Sequence, residues 1–116
     1  MAQAAADAIF DRKGNDIVLL DVAELFLLSD VFIIATGTSR PHVQALAEGV
    51  EEMLKDVYGI KPIRVEGLTE AEWVLVDFGD IIVHVFQGGP REFYSLERLW
   101  GDSERVKWEE PVVSEG

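Results

Sequence analysis

The 116 residues carry 22 acidic against 10 basic side chains, a formal net charge of −12, with 48% hydrophobic residues and no cysteine. A chain of that length builds one domain around one core, and the missing thiols exclude a disulfide framework, a cysteine-ligated zinc site and a thiol nucleophile. The acidic balance argues against direct nucleic-acid binding and against an anionic membrane surface, since both depend on Lys and Arg displacing counterions, and it favours a basic protein partner.

No apolar run approaches the roughly 20 residues of a membrane-spanning helix. Met1 to Phe10 is Ala-rich with one acid and no Arg, which fits neither a secretory signal nor a transit peptide. The expected location is cytoplasmic. Ala2 to about Arg12 reads as a first helix, with Gly14 placed to follow its C-terminus. Ile17–Leu20 is a buried strand by length and composition, and Val22–Leu28 is an apolar connection. Val31–Ala35 is a second strand, apolar on both faces, that runs into Thr36-Gly37-Thr38-Ser39.

Ser39 is placed to cap the main helix, with Pro41 tolerated in its first turn. Val43, Leu46, Ala47, Val50, Met53, Leu54 and Val57 form its apolar stripe, Gln44, Glu48, Glu51, Glu52, Lys55 and Asp56 face water, and Gly59 ends it. Pro62–Glu66 is a third strand, so residues 31–66 read as a β-α-β crossover whose two strands run parallel.

Trp73 to Phe86 is the most informative stretch. Two runs of branched and aromatic residues flank Asp77-Phe78-Gly79-Asp80, in which Gly79 can take the positive φ of a tight turn; together they read as a β-hairpin. Alternation puts Trp73, Leu75 and Asp77 on one face and Val74 and Val76 on the other; on the return strand Ile81, Val83 and Val85 oppose Ile82, His84 and Phe86. Both faces are largely apolar, which makes the hairpin central to a sheet. After a Gln87–Pro90 loop, Arg91–Trp100 reads as helical turns packing back on the sheet. The expected domain covers 1–102, with 103–116 as a mobile tail.

The residues do not support catalysis. Thr36-Gly37-Thr38-Ser39 sits where backbone amides could hold a phosphate, but it lacks both Gly-rich phosphate motifs, and capping alone explains Ser39. There is no Asp-x-Asp to carry metal ions for nucleotidyl transfer, and Glu70/Glu72 and Asp102/Glu104 fall in loops. Asp80 and His84 stand about 13 Å apart along an extended strand, too far for one metal. Asp77-Phe78-Gly79 matches a kinase magnesium motif without any of its companions. His42, at a helix N-terminus, reads as a surface or packing residue. Trp73 lies beside Glu70 and Glu72, and spacing alone leaves it balanced between a core tryptophan and a binding anchor.

Several segments together resemble the ribosomal silencing factor family, also called the Iojap-like proteins: Asp16–Val22, Ser29–Ser39, His42-Val43, Glu66-Gly67, Trp73–Phe86 and Arg91–Asp102. The Trp…Asp-x-Gly-Asp…His-x-Phe and Arg-x-Phe-Tyr-x-Leu-Glu-x-Leu-Trp combinations are the specific ones. The resemblance implies an α/β domain with a mixed sheet of about five strands and flanking helices, nucleotidyltransferase-like but non-catalytic. It implies no cofactor and no metal. It also implies a translation inhibitor that binds the large ribosomal subunit through ribosomal protein L-fourteen, blocks subunit association under nutrient limitation, and forms a homodimer when free.

Carried over by position, the contact set is Trp73, Leu75, Asp77, Asp80, His84 and Phe86, joined by Tyr94 and Glu97. The chain departs from the family pattern at Arg40-Pro41, at Val31, at Phe26-Leu27-Leu28 and at Gln87-Gly88-Gly89. The rival from another class is a metal-dependent nucleotide-binding or nucleotidyltransferase enzyme, with Thr36–Ser39 on phosphate and Asp77 and Asp80 on metal.

Overall fold

A computed structural model describes residues 1–23, 30–88, 104–106 and 108. The chain-order elements are α1 (Ala2–Asp11), β1 (Asn15–Asp21), β2 (Val31–Gly37), α2 (Arg40–Tyr58), β3 (Arg64–Glu66), β4 (Trp73–Asp77), β5 (Ile81–Gln87) and β6 (Glu104–Arg105). The strands make one mixed sheet in the order β3-β4-β5-β2-β1-β6. It has one strand more than expected, because Glu104 and Arg105 pair antiparallel with Asp21 and Leu20. Val106 N–H continues this edge by donating to the Leu19 carbonyl at 2.9 Å. Trp108 Nε1–H donates to Asp7 Oδ1 at 3.0 Å and its ring meets Phe10 edge-on at 5.9 Å. These residues fall in the stretch expected to be a mobile tail; residues 104–106 extend the sheet edge, and Trp108 packs on α1. No helix among the described residues is long and apolar enough to cross a membrane.

The β-α-β expectation holds in direction and changes in pairing. β2 and β5 are parallel neighbours, while β4–β5 and β3–β4 are antiparallel. β3 therefore runs parallel to β2 with the hairpin inserted between them. α2 begins as expected, with Ser39 in extended backbone and its Oγ accepting from His42 N–H at 3.2 Å. It ends at Gly59 in the left-handed region, φ 68°. Its stripe is buried at Val43, Leu46, Ala47, Val50 and Leu54, but Val57, in the last turn, is 57% exposed. The stop after α1 is also made differently. Lys13 takes the positive φ of 66°, while Gly14 is needed for closeness: a Cβ there would overlap Ile9 Cγ2.

The core lies between the two helices and one face of the sheet. Ala5, Ala6, Ala8 and Ile9 of α1 and the α2 stripe pack on Leu19, Ile33, Ala35, Val74, Val76, Val83 and Val85. Each fully buried Val, Leu or Ile contributes roughly 1.5–3 kcal/mol over its exposed state. A second cluster, Leu20, Val22, Phe32, Ile34 and Phe86 with Val18, Trp73 and Ile82 against it, lies on the sheet's other face, and no described helix residue belongs to it.

Candidate protein-binding face

The face away from α1 and α2 is assembled by register. Glu66, Leu75, His84, Ile34 and Val18 form one row across β3, β4, β5, β2 and β1, and Arg64, Asp77, Ile82, Phe32 and Leu20 form the next. Trp73 opposite Phe86, with Thr36 beyond, makes a third. Period-2 alternation thus puts Trp73, Leu75, Asp77, His84 and Phe86 on one surface, as the sequence implied. Depth separates them. Trp73, Leu75 and Asp77, toward the β3 edge, are partly exposed, whereas Phe86 is fully buried and His84 is 4% exposed.

Trp73 stacks on Phe86 with centroids 5.0 Å apart and planes at 30°. Its Nε1–H donates to His84 Nδ1 at 3.1 Å. An indole nitrogen can only donate, so His84 Nδ1 accepts and the proton of the neutral imidazole sits on Nε2. The imidazole is packed 4.8 Å from the Phe32 ring, and burial lowers its pKa from 6.5 to about 4.

Asp77 forms the turn and holds the sheet edge. One carboxylate oxygen accepts from Gly79 N–H at 2.8 Å, and the other faces Arg64 Nε at 3.3 Å. Arg64 also reaches Glu66 at 3.4 Å. Gly79 supplies φ 91°, and Phe78, within the turn, is only 8% exposed and joins the helix-side core. Asp80 is exposed at the tip, and its carbonyl accepts from Asp30 N–H at 2.8 Å, which ties the turn to the start of β2. Tyr94 and Glu97, like the expected helical turns of 91–100 and the Phe26-Leu27-Leu28 segment, lie outside the described residues. Arg64 and Phe32 were not in the contact set read from sequence. Arg64 pairs with Asp77 only through the β3–β4 register, which no local pattern reveals; Phe32 could be found by noting its face on an alternating β2.

The same register separates the pieces of the nucleotide-enzyme rival. Asp80 lies beside the start of β2, whereas Thr36–Ser39 lies at its far end, about 20 Å away at ~3.3 Å per residue. Thr38 N–H is already given to His42 Nδ1 at 2.9 Å, and His42 Nε2–H is given to the Arg12 carbonyl at 2.9 Å, so His42 staples the α2 N-terminus to the end of α1. Among the described residues no group of three or more His, Cys, Asp or Glu could hold a metal ion. A groove along α2, lined by Glu48, Glu51, Glu52, Lys55, Ile60, Lys61 and Pro62, mixes both charge signs. There Glu51 has its pKa raised by burial and by Glu48.

Residues 1–115 match the family model described as ribosomal silencing factor during starvation. The chain is 44% identical over 99 residues to the ribosomal silencing factor RsfS of Bacillus subtilis, covering 85% of this chain and 83% of that protein. It is 39% identical over 109 residues to the ribosomal silencing factor RsfS of Halalkalibacterium halodurans, covering 94% and 92%. A crystal structure of a protein from Chromobacterium violaceum is similar at TM-score 0.81 and 40% identity, covering 97% of this chain and 88% of that one.

Proposed function

Because the chain belongs to the ribosomal silencing factor family, we propose that it represses translation from the large ribosomal subunit, without catalysis. It docks through ribosomal protein L-fourteen on the surface that meets the small subunit, and its bulk keeps the subunits apart when nutrients are short. In the same reading the protein is cytoplasmic and the free form is a homodimer. The observation that carries this is the partly exposed side chains Trp73, Leu75 and Asp77 along one face of β4, with the aromatic anchor hydrogen-bonded from below. Interfaces are dominated by such anchors, and a side chain already locked by its neighbours loses little freedom on binding.

The members of the contact set take different roles. Trp73 is the anchor and Leu75 its apolar neighbour. Asp77 and Asp80 supply negative charge to basic side chains of the partner, Asp77 sharing its carboxylate with Arg64. His84 and Phe86, being buried, act from beneath Trp73. Co-sedimentation with purified large subunits tests the assignment. Trp73→Ala is expected to weaken binding by about 2 kcal/mol or more. Unchanged affinity of folded Trp73→Ala would remove this face from the interface.

A further inference from the structure

His84 occupies a place where an apolar side chain would be easier to bury. Its row neighbours on either side are Leu75 and Ile34, its ring lies 4.8 Å from Phe32, and it is 4% exposed. A polar ring in such a position costs desolvation unless its nitrogens are used. One is used on Trp73, the partly exposed aromatic on this face. Stacking on Phe86 sets the plane of the indole but tolerates rotation within that plane, because face-to-face contact has no directional donor. The N–H···Nδ1 bond removes that freedom by fixing which edge of the indole points inward.

We propose that His84 is a positioning residue, whose imidazole holds the Trp73 indole in the orientation it offers to the ribosomal partner. His84 makes no contact with that partner itself. The inference rests on the reading of Trp73 as the interface anchor and adds the group that presents it.

The test uses the full chain with three variants in large-subunit binding: Trp73→Ala, His84→Phe and His84→Asn. Phenylalanine fills the site and suits its apolar surroundings but cannot accept a hydrogen bond, whereas the Asn carbonyl stands near the place of Nδ1. His84→Phe is expected to keep the fold and weaken binding on the order of tenfold, through the loss of one bond to the indole. His84→Asn recovers most of that loss. In a Trp73→Ala background His84→Phe has no further effect, since it acts through the indole. In the wild type, a long-range 1H–15N spectrum of the His84 ring reads the Nε2–H tautomer, and the Trp73 indole proton exchanges slowly. If Trp73→Ala weakens binding while folded His84→Phe binds like the wild type, the positioning role is overturned and the anchor stands. If Trp73→Ala itself leaves binding unchanged, both fall. Loss of melting temperature in His84→Phe with undiminished binding would show a purely structural histidine and overturn the proposal as well.

Discussion

His84 ties stability to pH in a direction opposite to a salt-bridged histidine. Burial lowers its pKa in the folded chain to about 4 from 6.5. The unfolded chain takes up the proton as pH falls through about 6.5, and the folded chain refuses it until about 4. The neutral form's contribution is therefore complete above 6.5 and drains away across that window, with about 2 kcal/mol lost by pH 5. Urea denaturation at pH 7 and pH 5 should show this loss in the wild type and a smaller one in His84→Asn, which keeps an acceptor but cannot titrate. Equal losses in the two proteins would mean that His84 is not what titrates. Two neighbouring positions at the end of α1 give a second residue-scale test with opposite signs. Lys13 holds φ 66° with a side chain that costs about 1 kcal/mol in that region, so Lys13→Gly is expected to raise stability by a fraction of that. Gly14→Ala would drive a methyl into Ile9 Cγ2, and a loss of about 2 kcal/mol is expected by chemical denaturation.

At the scale of elements, the parts legible in the sequence were those whose signals are local. The alternation of 73–77 and 81–87, the Ser39 cap and the Gly59 stop each need only a few neighbouring residues, and each is found. The parts that were not legible depend on distant partners. The insertion of the hairpin between β2 and β3 follows from the pairing of β2 with β5, across fifty residues of chain. The pairing of β6 with β1 rests on two residues in a polar stretch, where period has no meaning. The site divided in the same way: period 2 named the face, but the depth of His84 and Phe86 is set by Phe32, Ile34 and Trp73 from adjacent strands. Val57 belonged to the helical period but is exposed at the end of α2.

The β6 segment is itself testable. Trp108 joins the chain's C-terminal part to α1 through its ring contact with Phe10 and its bond to Asp7. Trp108→Ala is expected to cost about 2 kcal/mol in urea unfolding, from lost apolar burial and a lost hydrogen bond. A variant as stable as the wild type would mean that this segment does not hold to α1 in solution.

For the whole molecule, the net charge of −12 sets how a partner is met. On the proposed reading, a basic ribosomal protein is approached with electrostatic steering, while rRNA phosphates repel the general surface. Association with the large subunit should therefore slow as monovalent salt rises, with dissociation changing less, a difference that stopped-flow mixing resolves. Asp80→Asn is expected to reduce that salt dependence without affecting the fold, since its side chain is exposed at the turn. A sheet carrying a hydrogen-bonded, partly exposed aromatic and a diffuse acidic field is suited to occupying a surface.

Subunit joining is the direct measure of that occupation. Purified small and large subunits, mixed at a magnesium concentration that ordinarily couples them, are sedimented through a sucrose gradient with and without saturating protein. The expected result is separate subunit peaks with the protein migrating on the large one, and restored coupling when Trp73→Ala replaces the wild type. Full coupling in the presence of saturating wild-type protein would contradict the proposal that this chain silences translation by keeping the subunits apart.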